Sequence, residues 1–278
     1  MMAIPEFIKW GAALGREPQT FLGARWVEWI LDRAPEGKKR NWALRLLSLS
    51  PHYFIDADAP ENSELSRTDY LEKAFLVYSE SRRKIYDQIL EGRLKPDDVV
   101  LDYGCGPGFL AKTVAQHVSK IYACDISAGA LACARVLNSA PNLEYVMADP
   151  SGIAAIPDAG VDVIYSFAVV QHVSDEIYKI VLENCRQKLK PGGSLILHIQ
   201  LIGDGWRTEK EWKGDTSLKG KIKYKYGLHC FARPESVHRE SAELSGFTDI
   251  RIESVAELVE EHFDDICSQH LLTATLKD

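Results

Sequence analysis

From residue 98 onward, apolar residues come in short runs separated by amphipathic stretches. The runs DVVLDY (98–103), KIYAC (120–124), LEYVM (143–147), VDVIYS (161–166) and SLILHIQ (194–200) predict strands. Several are apolar throughout, as strands buried on both faces are. Between them, 109–118, 127–138 and 175–189 space their apolar residues as helices do. This alternation predicts a mostly parallel sheet covered on both faces, and right-handed crossovers make it doubly wound. LKPGG (189–193) reads as the turn into the fifth strand. PESVHRESAELSGF (234–247) reads as a helix closed by Gly246, and TDIRIESV (248–255) and HLLTATLK (270–277) complete a seven-stranded sheet.

The first part of the chain is patterned differently. Residues 1–65 are helical in periodicity and hold four of the six tryptophans, Trp10, Trp26, Trp29 and Trp42. They are expected to form an α-helical cap that packs over a ligand cleft and helps to build it. A contact with a second copy of the chain, giving a homodimer, or a membrane-surface patch is the alternative use of these aromatics. PHYFIDADAPENSE (51–64) reads as a linker, and a helix over 66–91 leads into the sheet domain at 66–278. Within that domain, 203–233 is an insertion after the fifth strand, the place for a substrate lid. It holds Trp206, Trp212, Tyr224 and Tyr226 among lysines at 210, 213, 219, 221, 223 and 225, which suits an anionic or sugar-bearing molecule as well as a solvated loop.

Charge and cysteine usage narrow the function classes. A net charge of −7 argues against a nucleic-acid partner. The six cysteines include no CxxC pair, so no zinc site or other metal site is expected and reduced thiols are. There is neither a leader-like start nor an eighteen-residue apolar run, so a cytoplasmic, soluble protein without a membrane span is expected.

The chemistry concentrates in one loop. A strand ending in Asp102 runs into Tyr-Gly104-Cys-Gly106-Pro-Gly108 and then a helix. Glycines there let the backbone approach a ligand at the carboxyl end of the first strand. A dinucleotide fingerprint needs Gly at its sixth position, where this chain has Phe109. Pro107 also removes an N–H that a pyrophosphate cradle would use. A nicotinamide enzyme is therefore disfavoured.

VVLDYGCGPGFLAKTVA (99–115), CDIS (124–127), MADP (147–150), VDVIYSFAVVQHV (161–173) and LKPGGSLILHI (189–199) occur in an order and spacing that resembles the class I S-adenosylmethionine-dependent methyltransferase family. The resemblance covers roughly residues 95–200, and the tail from 234 resembles the family's closing helix and hairpin, whose last strand is antiparallel. It implies a Rossmann-like sheet and S-adenosyl-L-methionine as cofactor. It implies that Gly104, Gly106 and Gly108 line the methionine and ribose, with Asp102 orienting the loop and helping the amino group. Asp125 would take both ribose hydroxyls, with Ile126 beside it, Asp149 would accept from the adenine amino group, and Phe167 would sit at the methionine end. Pro150 departs from the pattern, because the N–H that often follows this Asp is missing and Ser151 would have to supply it. Asp125 and Ser127 also precede a helix, where an N-cap is the structural reading.

Methyl transfer to a hydroxyl benefits from a base of near-neutral pKa. His172, after the fourth strand, is the candidate base, against the reading that Gln171-His172 only braces the next helix. His229, near the end of the insertion, is a second candidate facing the acceptor. His198 and Asp162 read as structural. The favoured function is methyl transfer to a small-molecule acceptor, a hydroxyl before a nitrogen or carbon. The alternatives are an RNA or protein acceptor and a non-catalytic cofactor-binding partner.

Overall fold

A computed structural model describes residues 25–50, 64–148, 153–203, 206–225, 229–263 and 265–277. Trp10, the 51–63 part of the linker, and Asp149 to Ser151 lie outside the described residues. Seven strands form one sheet in the order β3-β2-β1-β4-β5-β7-β6. They are β1 (Val99–Tyr103), β2 (Lys120–Asp125), β3 (Leu143–Met147), β4 (Val161–Ser166), β5 (Leu189–Ile199), β6 (Phe247–Ser254) and β7 (His270–Leu276). β1 to β5 pair in parallel, and β7 runs antiparallel to both β5 and β6. The order reverses between β1 and β4, so the crevice for a ligand opens at the carboxyl ends of those strands.

Burial on both faces is what the unbroken apolar runs specify. Val100 and Leu101 are both fully buried, yet they point to opposite faces and join different core clusters. Leu101, Ile164, Leu195 and Leu197 share one core with Tyr178, Val181, Leu182 and Cys185. Val100, Ile121, Val163 and Ile196 share the other with Ile85, Ile89 and Leu90.

In chain order the helices are α1 (Arg25–Arg33), α2 (Lys39–Leu47), α3 (Arg67–Ile85), α4 (Phe109–Val114), α5 (Ala128–Leu137), α6 (Asp175–Lys188), α7 (Glu209–Gly214), α8 (Leu218–Lys225), α9 (Glu235–Leu244) and α10 (Val255–Leu258). α3 starts where Ser66 accepts the Asp69 N–H at 3.2 Å, an N-cap, and it runs on through a π-turn at Tyr86–Leu90. α1 and α2 lie against α5, and their buried Val27, Leu31, Leu44 and Leu47 share a cluster with Phe75, Phe109 and Cys133.

Two local expectations differ from what forms. LKPGG does not turn into β5. Leu189 already pairs with Val161, and the next pairing in the ladder joins Ser194 to Val163, so residues 190–193 bulge out of a strand that has begun. In the described part of the 203–233 insertion, the solvated-loop alternative gives way to two short helices. Thr208 and Glu211 form a reciprocal capping box that starts α7, and bridges at Leu201–Arg233 and Arg207–Phe231 tie the outgoing and returning chain together.

Candidate active site

β1 delivers the glycine loop to the crevice. Gly104, Gly106 and Gly108 all have positive φ (83°, 52° and 77°), which L side chains rarely adopt. The Gly104 and Cys105 N–H groups both donate to the Cys124 carbonyl, at 2.8 and 2.9 Å, fixing the loop to the end of β2. Space is as restrictive as dihedral angle. A Cβ on Gly104 would press on both γ carbons of Val169, and one on Gly108 would press on the Tyr145 ring and hydroxyl. Both glycines let neighbouring protein close in on the loop, a use separate from the approach of a ligand.

Asp125 holds the loop from the other side. Its Oδ2 accepts the Gly106 N–H at 2.8 Å and its Oδ1 the Ser127 N–H at 2.7 Å. Ser127, not Asp125, caps α5, by accepting the Ala130 N–H at 3.2 Å. The N-cap reading of Asp125 is thus replaced by a tie across 19 residues. Each carboxylate oxygen keeps a lone pair for a further donor. Burial pushes this carboxyl up from its ordinary value, and the backbone N–H groups of Ser127, Gly106 and Ile126 pull it back. Ile126 and Met147, at the ends of β2 and β3, each leave an apolar side chain 48 % exposed.

Asp102 is buried beneath the loop, and loss of solvent pushes its carboxyl up to about 8. Tyr165 pulls it down although its hydroxyl makes no well-aligned hydrogen bond, the Asp125 carboxyl pushes it up, and the Arg82 guanidinium pulls it down. Between the ordinary 3.8 and about 8 the folded chain therefore holds a proton that the unfolded chain has lost. Stability from this group is complete below about 4 and is lost as pH rises through about 8, by up to ~1.4 kcal/mol per pH unit. Asp102→Asn should remove that slope. Thermal unfolding of the cofactor-free proteins from pH 5 to pH 9 should show the variant gaining on the wild type as pH rises, and parallel curves would contradict the buried-acid assignment.

Sequence reasoning missed part of this cleft. Tyr78 and Arg82 line it together with Asp102, the glycine loop, Leu110 and Phe167. They are one turn apart on α3, on the side that carries Phe75. Phe109 holds that side in place, with ring centroids 5.1 Å from Phe75 and 5.8 Å from Tyr78. The residue that breaks the dinucleotide fingerprint is the one that docks α3 against the loop.

Phe167 follows β4 and stacks on the buried His198 at 5.9 Å with an interplanar angle of 16°. His198 Nδ1 accepts the N–H of Ala168, a residue held at φ 58°. Asp162 is structural, accepting from the Val99 N–H at 2.9 Å and from Lys190 at 2.6 Å. Beyond Val169 the chain reaches His172, whose Nδ1 lies 2.7 Å from the His229 carbonyl oxygen. A carbonyl only accepts, so Nδ1 carries the proton and Nε2 is the basic nitrogen. Burial lowers the pKa of His172, and the bond to His229 raises it, so the ring is neutral near pH 7. The structure thus brings His172 and His229 together through a backbone carbonyl, while the His229 ring stacks on Tyr224 at 4.8 Å. Arg233, buried, braces this segment by donating to Asp175 at 2.7 Å and to the Val170 and Val173 carbonyls at 3.0 and 2.6 Å.

Residues 101–197 match a family model described as a methyltransferase domain. The chain is similar to a malonyl-[acyl-carrier protein] O-methyltransferase of Serratia marcescens, 28% identical over 42% of this chain and 46% of that protein. It is also similar to a ubiquinone biosynthesis O-methyltransferase of Cronobacter sakazakii, 35% identical over 34% of this chain and 39% of that one. The chain thus spans less than half the length of these curated relatives. A solved structure with the same fold is phosphoethanolamine N-methyltransferase 2 of Haemonchus contortus in complex with S-adenosyl-L-methionine, with TM-score 0.53 and 17% identity over 78% of this chain and 61% of that one. Among the described residues no helix is long and apolar enough to cross a membrane. Residues 101–197 are thus a methyltransferase domain, and the 3-2-1-4-5-7-6 sheet with the glycine loop at its switch point is similar to the fold of class I S-adenosylmethionine-dependent methyltransferases.

Proposed function

We propose that this chain transfers the methyl group of S-adenosylmethionine to a hydroxyl of a small-molecule acceptor. The observation that carries the hydroxyl assignment is His172, a half-buried neutral imidazole whose Nδ1 proton is given to a carbonyl, which makes Nε2 the basic nitrogen. The similarity to the O-methyltransferases of Serratia marcescens and Cronobacter sakazakii favours the same atom.

The cleft fits the cofactor. Asp125 would take the ribose hydroxyls, Ile126 and Met147 would offer apolar surface to the adenine, and the loop from Gly104 to Gly108 would line the methionine. Asp102 would meet the amino group, Arg82 the carboxylate, and Phe167 the methionine end. Asp149 keeps its proposed place at the adenine amino group. The bound cofactor supplies a methyl on a sulfonium, which leaves as a neutral thioether and needs no acid. What the chain adds is alignment and exclusion of water, with His172 taking the hydroxyl proton at Nε2.

The lid reading of 203–233 is supported by bonds from the insertion to the β4–α6 segment. Phe231 N–H donates to the Gln171 carbonyl at 2.6 Å, and Glu209 accepts the Asp175 N–H at 2.8 Å. The cap reading of residues 1–65 is supported by α1 and α2 packing on α5, which begins just after Asp125.

Methyl-labelled cofactor offered to a matched phenol, aniline and thiophenol should label the phenol; label found only in the amine, or only in RNA or protein, would overturn the reading. His172→Gln should lower turnover by about 100-fold or more while cofactor affinity stays within about twofold. Wild-type activity should be level above neutral pH and fall below it, as the imidazole with its lowered pKa takes up a proton.

A further inference from the structure

Beyond the glycine loop, several buried polar atoms have no hydrogen-bond partner among the described residues. Gln200 follows directly on β5 and is only 2 % exposed, yet neither Oε1 nor Nε2 has a hydrogen-bond partner among the described residues. Gln171, 6 % exposed, reaches only the Cys230 sulfur with its Nε2, at 3.8 Å, and its Oε1 has no partner. The buried His229 has no well-aligned partner for Nδ1 among the described residues, though the Lys223 and Tyr224 backbone lies near the ring. The two glutamines meet at the Cys230 sulfur. Cys230 Sγ, half-buried, lies 3.9 Å from His172 Nδ1 as well, and the Gln200 amide is near enough to lower the thiol's pKa without a well-aligned bond.

A buried amide without a partner is costly, and native folds leave few of them. Several gathered at the carboxyl ends of adjacent parallel strands, where such sheets bind ligands, mark a site that a ligand completes. The five side chains Gln171, His172, Gln200, His229 and Cys230 carry no charge themselves, while the Lys223 and Glu209 charges act on Cys230 and His229. Burial holds both His172 and His229 below their ordinary pKa and pushes the Cys230 thiol up to about 11, so all three are neutral near pH 7. Lys223 acts on the thiol from a half-buried position.

We propose that Gln171 and Gln200 are the specificity-determining residues for the acceptor, and that they recognise an uncharged polar group offering both a hydrogen-bond donor and an acceptor. Gln200 presents one of each to that group, Gln171 adds an acceptor, and His172 stands beside them to meet the hydroxyl that is methylated. This inference rests on the small-molecule reading of the function.

The test uses three probes that share a phenol ring and differ in charge: 4-hydroxybenzamide, 4-hydroxybenzoate and 4-hydroxybenzylamine. Each is titrated by calorimetry into the full chain saturated with S-adenosylhomocysteine. The benzamide is expected to bind at least tenfold more tightly than the anion or the cation. Gln171→Leu and Gln200→Leu should each weaken it at least tenfold, leave S-adenosylhomocysteine affinity unchanged and, by removing an unpaired amide, keep or raise Tm. Gln200→Glu, nearly the same shape, should shift the preference to the benzylamine.

Unchanged benzamide affinity in both leucine variants, tightest binding by the anion, or no binding of any probe to the wild type would overturn the proposal. A fall in Tm together with weaker S-adenosylhomocysteine binding in Gln200→Leu would also overturn it, by showing that the amide serves the fold. Benzamide binding that depends on both glutamines, without methylation of any probe, would support the site and count against the hydroxyl reading alone.

Discussion

Gly104→Ala should destabilise the protein by about 2–5 kcal/mol, the sum of a left-handed backbone penalty and overpacking of a filled site. The added Cβ would stand 2.7 Å from one γ carbon of Val169 and closer still to the other, at a backbone φ of 83°. Val169 leads from Phe167 toward His172, so it cannot withdraw without moving the acceptor side of the site. In a chain of this length the loss corresponds to a fall in Tm of roughly 5–15 °C. The cause can be separated by a double-mutant cycle. Val169→Ala removes both γ carbons and leaves only Cβ, 3.1 Å from the new atom. The double variant should recover part of the loss, the remainder being the backbone term. Strict additivity of the two losses would show that Val169 is not what excludes a side chain at 104.

Asp125→Ala should lower cofactor affinity by about 100-fold or more. A carboxylate that receives two hydroxyl donors contributes through charge-assisted bonds, and the loss of two is worth about 3–5 kcal/mol. The same change releases the Gly106 N–H from its 2.8 Å bond and loosens the loop that the cofactor must find formed. Asp125→Asn separates the two effects. It keeps a carbonyl oxygen for one N–H but loses the charge and one acceptor, so its affinity should fall between wild type and alanine. Calorimetry on all three proteins reads this order, and an alanine variant within tenfold of wild type would refute the ribose assignment.

The strands and the loop were legible in the sequence because their signals are local. Unbroken apolar runs such as VVL and VIY, set between turn signals, suit strands buried on both faces, and the glycines mark a turn that side chains rarely follow. The capping box Thr208-x-x-Glu211 is equally local, but the lysines around it suit a solvated loop as well as a lid. What stayed hidden depends on tertiary contact. Which side of α3 meets the cleft is decided by Phe109 against Phe75 and Tyr78, so Arg82 could not be singled out among Arg82, Arg83 and Lys84. For Asp125 the sequence offers a ribose ligand with an N-cap beside it, because α5 follows, while its bond to Gly106 needs β1 and β2 side by side. Gln200 was one polar residue at a strand end, and only the buried surroundings show that its amide lacks a partner. The carbonyl that sets the tautomer of His172 comes from His229, 57 residues away.

Calorimetric titration of S-adenosylmethionine into the wild-type chain, with NAD as the comparison ligand, tests the central claim most directly. The geometry of the loop, Asp125 and Phe109 predicts saturable binding of one S-adenosylmethionine per chain and none of NAD. A folded protein that fails to bind S-adenosylmethionine, or that binds NAD in its place, would contradict it.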